Sequence, residues 1–157
     1  MVYVVSVLIV CLSGFVGKKM AAVYVFRDKF FKEFNSLLVY FENNIRYSQT
    51  KIDEMFDCYS VDSRAFKKIK ELKNLATEGV VERKRQLFLK LEEQKEIGEF
   101  FKSFGNGNLE TELNKIKNLK SFLERRGVEA EEQRKKNEGL IYKLSLMIGV
   151  VICILIL

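Results

Sequence analysis

The chain has 157 residues, a formal net charge of +6 and 48% hydrophobic residues, with no histidine, proline or tryptophan. Its three cysteines, Cys11, Cys58 and Cys153, lie far apart, so no metal-ligand spacing, CxxC redox pair or disulfide framework can be assembled, and no metal or cofactor is implied. Every charged side chain falls between Lys18 and Lys143, which divides the sequence into two uncharged ends and one heavily charged middle.

The first end, MVYVVSVLIVCLSGFVG, carries no charge until Lys18 and Lys19 arrive together. A secretory signal would place its positive charge before the apolar run and a small-x-small cleavage site after it. The reversed order predicts an uncleaved anchor over residues 1–17. Sixteen helical residues rise roughly 24 Å, against a hydrocarbon core of about 30 Å, and snorkelling of Lys18 and Lys19 completes the span.

The anchor is expected to run with little break into an amphipathic helix. In FRDKFFKEFNSLLVYFENNIRY, Phe30, Phe34, Leu37, Leu38, Phe41 and Ile45 form one stripe. Ser48 to Thr50 mark its boundary, and Thr50-Lys51-Ile52-Asp53 reads as a capping box opening a short helix through Phe56. Asp62 and Ser63 precede the next helix, with Phe66, Ile69 and Leu72 on one face and Gly79 as its stop. Leu87, Phe88 and Leu91 follow, then Ile97, Phe100, Phe101 and Phe104 at helical spacing. Gly105-Asn106-Gly107-Asn108 is the clearest turn. Beyond it Leu109, Leu113, Ile116, Leu119 and Leu123 form a last stripe, which leads through RRGVEAEEQRKKNEG into the terminal run. No segment alternates with period two. The prediction is all-α: an antiparallel helical bundle of about five or six helices over 18–138, flanked by transmembrane helices at 1–17 and 139–157. The phenylalanines, on single faces, are expected to form its core.

The terminal run GLIYKLSLMIGVVICILIL holds one charge, Lys143, one turn inside its start, with Tyr142 beside it. Lys143 is expected to snorkel to the interface and Tyr142 to act as an aromatic anchor. Lysines and arginines flank both spans on the side of the middle segment, including Lys18, Lys19, Arg27, Lys29 and Lys32 after the first and Arg125, Arg126, Arg134, Lys135 and Lys136 before the second. The positive-inside rule then makes the middle cytoplasmic and puts both termini on the far face.

Catalytic signals are wanting. FGNGNLE lacks the lysine of a phosphate loop, and Glu92/Glu93 and Glu131/Glu132 are expected to be solvated surface, with Cys58 a reduced packing residue. The positive charge is interspersed with acid (KKIKELKN, ERKRQ), so nucleic acid is not the expected partner, and juxtamembrane lysines meeting anionic lipid account for the densest basic runs. A charged patch at Lys67, Lys68, Lys70 and Glu71 can be solvated helix or a docking site. Ion transport would need polar residues in the spans, where only Ser6, Ser13, Ser145 and Lys143 are available.

Taken in order, the uncharged span ending at Gly17, Arg27, the long helix ending IRYSQTKIDEMF, the FGNG turn and the terminal KNEGLIYKLSLMIGVVICILIL resemble the stage III sporulation protein AB family of endospore-forming bacteria. On that resemblance the family's glutamate, isoleucine, tyrosine and threonine near the end of the long helix are similar to Glu42, Ile45, Tyr47 and Thr50. Its Phe-Gly pair is similar to Phe104-Gly105, and the lysine and tyrosine at the head of its last span to Lys136, Tyr142 and Lys143. The chain departs from the family in reading Thr50-Lys51-Ile52 for Thr-Pro-Leu and in shortening the turn to NGNLETE. The resemblance implies a nonenzymatic platform in the channel joining mother cell and forespore, placed in the mother-cell-side membrane. It further implies a soluble part similar in fold to the F-type platform domains of type II secretion. Its partners would be a secretion-type ATPase and other membrane subunits of the same complex, and a platform of this kind is expected to form homo-oligomers. The competing expectation is a membrane-tethered adaptor that recruits a cytoplasmic regulator.

Overall fold

In a computed structural model of the chain, residues 2–48, 52–59, 61–79, 86 and 88–156 are described. Five helices account for almost all of them: α1 (Val2–Ser48), α2 (Ile52–Cys58), α3 (Arg64–Thr77), α4 (Leu91–Ser103) and α5 (Leu109–Ile156), with no strand among the described residues. The expected all-α architecture, begun and ended by long apolar helices, is the one observed. α1 and α5, of 47 and 48 residues, each run about 70 Å without interruption. A chain free of proline has nothing to break them.

Two compact units result: one of Met1–Asp28 with Glu129–Leu157, and one of Lys29–Val128. α1 and α5 each contribute to both.

The Lys29–Val128 unit is organised by aromatic rings. Phe30, Phe34, Leu37, Leu38 and Phe41, spaced by three and four residues on α1, are completely buried. Phe41 meets Phe56 of α2 edge to face at 4.9 Å and stacks on Phe104 at 5.8 Å, while Phe34 stacks on Phe101 of α4 and Phe30 lies against Phe88. Each such ring, fully withdrawn from water, contributes about 1.5–3 kcal/mol. The expected phenylalanine core is therefore present. α5 closes the unit with Ile116, Leu119 and Leu123, all buried. Leu109 and Leu91, the first residues of α5 and α4, stand exposed.

The helix ends follow the chemistry of their sequences. Ser63 caps α3 by accepting the amide of Phe66 at 2.9 Å, and its hydroxyl donates to Glu33 of α1. Gly79, at φ +73°, takes the left-handed position that ends that helix, its amide donating to Ala76. α3 then packs along α4. The capping box expected at Thr50-Lys51 lies outside the described residues.

Two sequence expectations are corrected. Glu93 is not solvated surface but fully buried: its carboxylate accepts the Lys90 amide at 2.8 Å, capping the head of α4, and lies 3.9 Å from Arg126. A helix cap consumes the charge, which sequence adjacency to the exposed Glu92 disguised. Cys58, at the end of α2, is exposed rather than packed, because Met55 and Phe56 take the inward positions of that short helix.

Candidate functional site

The Met1–Asp28/Glu129–Leu157 unit is an antiparallel helix pair whose contact is built from small residues. Ser13, Gly17 and Ala21 recur every four residues on α1, and Ser145, Gly149 and Cys153 do so on α5. A Cβ added to Gly17 would fall 1.9 Å from Oγ of Ser145, and one added to Gly149 would fall 2.2 Å from Oγ of Ser13. Two glycines thus each face a serine on the other helix, the second contact lying four residues back on α1 and four forward on α5. Such small-xxx-small seams let backbones approach where lipid leaves apolar side chains no reason to cluster. The serines add no unsatisfied polar group, since Ser13 donates to Val10 O and Ser145 to Tyr142 O at 2.8 and 2.9 Å.

The opposite faces are apolar and uncovered. Leu12, Phe15 and Val16 on α1 and Met147, Ile148 and Val151 on α5 are all more than half exposed. Only 11% of the most apolar window of either helix is buried, whereas the core helix of a water-soluble fold would bury most of it. Both helices are long and apolar enough to cross a membrane.

The same register continues beyond the apolar zone. Eleven residues on from the Gly17–Ser145 contact it sets Asp28 against Arg134, and their side chains form an ion pair of 3.1 Å with Asp28 only 1% exposed. Arg27, one of the motif positions, is buried beside it. Arg134 is 31% exposed, so the pair adds little net stability, but the buried Asp28 carboxylate would be costly without it, and that ties the two helices to this register. Sequence reading counted Arg134 as a topology charge and overlooked Asp28. The available signal was an acid placed among the inward-facing positions of α1.

The remaining motif positions divide by role. Ile45 is buried, and Glu42 is half-buried, paired with Arg46 at 2.9 Å and 4.0 Å from Lys120 of α5. Phe104 is buried, stacked on Phe100 at 4.6 Å as well as on Phe41. Gly105 has φ +93°, a conformation that favours glycine, and its amide donates to Glu112 at 2.9 Å. The other carboxylate oxygen of Glu112 accepts the Gly107 amide at 2.8 Å and Lys115 at 2.9 Å, so one buried acid clasps the whole turn. Nothing in the spacing singled out Glu112. Lys136, Lys18, Lys19, Tyr142 and Lys143 are exposed on the long helices. Tyr47 lies in the last turn of α1, and Thr50 lies outside the described residues.

The family model of stage III sporulation protein AB matches residues 3–157, essentially the whole chain. The chain belongs to that family. Neither a curated protein nor a solved structure gave a match. Membership gives the stage III protein AB chain a role in stage III of sporulation, and its two apolar helices fit a membrane protein.

Among the described residues of this family member, no group of three or more histidine, cysteine or acidic side chains could hold a metal. The patch on α3 is consumed in ion pairs: Lys67 with Asp62 at 2.7 Å, Lys68 with Glu71 at 2.5 Å, and Lys70 with Asp57 at 3.0 Å. Exposed pairs of this type contribute little. The hydrogen bond and charge of Lys67 hold the exposed Asp62 carboxyl below its ordinary range, while burial, then the charge of Glu33, pushes the Tyr59 phenol up. Tyr59, Val61 and Phe66 line a shallow groove of about 440 Å³ rimmed by Lys67 and Lys70.

Proposed function

We propose that this stage III sporulation protein AB is a nonenzymatic membrane platform of the channel between mother cell and forespore, with its Lys29–Val128 bundle in the mother-cell cytoplasm. The single observation that carries the reading is the whole-chain family match, joined to a helix hairpin whose uncovered apolar faces suit a bilayer. Basic residues border both spans on the side of the bundle and none lies beyond them, which supports a cytoplasmic bundle with both termini across the membrane. Its partners are then the secretion-type ATPase and the other membrane subunits of the same apparatus. The test is an in-frame deletion in the native spore former. Completed engulfment followed by failure of late forespore gene expression is the expected outcome, and normal sporulation would sink the reading. Crosslinking in sporulating cells separates a platform, which captures transmembrane subunits, from an adaptor, which captures soluble regulators.

A further inference from the structure

We infer that acyl chains cover this hairpin up to the height of Val23 and Gly139, a full turn beyond Lys19 and Lys143, so that these lysines sit inside the apolar layer and not at its surface. The inference rests on the hairpin lying in a membrane as proposed above. Three contacts fix the heights of the two helices: Ser13 against Gly149, Gly17 against Ser145, and Asp28 against Arg134. Between them α1 advances by as many residues as α5 recedes, so one register holds throughout. Lys19 then stands level with Lys143, Met20 with Tyr142, Ala22 with Leu140 and Val23 with Gly139, whichever way each side chain points. Neither helix carries a charge between Lys19 and Arg27 or between Glu138 and Lys143. Four residues on each helix, about 6 Å of rise, therefore remain apolar beyond the lysines. That zone is uncovered: Met20 is 56% exposed, Leu140 53% and Tyr142 45%, almost as open as Leu12 and Phe15 deeper in the hairpin. A bilayer ending at the lysines would leave this apolar ring in water. Helical side chains lean toward their own N-terminus, which on α5 carries Tyr142 and Lys143 toward the charged zone. On α1 it carries Lys19 the other way, and its ammonium lies 5.4 Å from the ring centre of Phe15, one turn deeper. An aromatic face is a contact that strengthens for a cation as water is withdrawn. The first cation outside the layer is then Lys136, exposed on α5 three residues beyond Gly139.

The chain has no tryptophan, so one introduced at an exposed position reports its own depth. Full-length Met20→Trp, Leu140→Trp, Leu12→Trp and Leu91→Trp are reconstituted in vesicles of phosphatidylcholine and phosphatidylglycerol, and quenching by bromines on the acyl chains is compared with quenching by aqueous acrylamide. Met20→Trp and Leu140→Trp are expected to be quenched by the bromines and to be about tenfold less open to acrylamide than Leu91→Trp on α4. An indole itself favours an interface, so the unaltered chain supplies a second reading. Lys19 and Lys136 are both exposed on the protein, so a difference between them reports the bilayer. Under brief acetylation by a water-soluble succinimidyl ester, Lys19 is expected to react about tenfold more slowly than Lys136. Equal rates would overturn the inference. Acrylamide access at Met20→Trp and Leu140→Trp, with Leu12→Trp still quenched by the bromines, would put the surface at the lysines and sink this inference alone. Acrylamide access at Leu12→Trp as well would sink the membrane hairpin with it.

Discussion

The two units use the same pair of long helices and hold them by opposite means. In Lys29–Val128 the α1 stripe is phenylalanine and leucine, and rings from α2 and α4 converge on it. In the other unit the facing positions are serine, glycine and alanine, and the large apolar residues point outward. A bilayer around that unit, as proposed above, accounts for the inversion. In water, withdrawing a ring is the main source of stability; in hydrocarbon it gains nothing, so close backbone approach takes over.

The largest test of this contrast removes one large side chain from each unit. Phe41→Ala empties a site of zero exposure between Phe56 and Phe104 and should cost about 3–5 kcal/mol. Leu12→Ala, on an uncovered face, should cost less than about 0.5 kcal/mol. Urea unfolding of the full chain in detergent measures both, and similar costs would mean that Leu12 is covered and the hairpin faces are not lipid-facing.

The seam is tested by adding atoms instead of deleting them. Gly17→Ala drives a methyl into Ser145 and should destabilise by about 1–3 kcal/mol. Adding Ser145→Gly should recover most of that loss, because it removes the very atoms the methyl meets. Gly139→Ala lies on the same helix pair with nothing within 4 Å and should instead stabilise, by up to about 1 kcal/mol. If all three variants behave alike, helix propensity and not close packing governs the pair.

The helical class, the stripes and the glycine stops were legible in the sequence because they depend on local spacing alone. Phe30, Phe34, Phe41 and Ile69 could be placed inward from a period of 3.6. The polar residues that fix geometry were not legible. Glu93 and Glu112 look like any surface acid until a particular turn directs backbone amides at them. Asp28 acquires its role only from Arg134, more than a hundred residues away, once the seam sets the register. The seam serines and glycines were present as a four-residue repeat on each span, but each repeat gains meaning only when the two spans are laid antiparallel.

The smallest expected effect confines a pH response to the bundle. Tyr59 touches Tyr40 and Phe66, and burial, followed by the charge of Glu33, raises its pKa above the ordinary 10.0. The folded chain thus holds that proton more tightly than the unfolded chain does. The resulting stability is complete below pH 10 and is lost as the pH rises through the folded value. Tyr59→Phe, which has no proton to lose, should flatten the alkaline decline of the unfolding midpoint, and Glu33→Gln should flatten it less because burial is the larger cause. Lys67 lowers Asp62 and reverses the sign, so that its contribution is present above pH 3.8 and fades as the pH falls. That pair is fully exposed, and Asp62→Asn should scarcely change the acid limb. An alkaline decline unchanged by Tyr59→Phe would mean that the ring's surroundings in the bundle do not favour the neutral phenol.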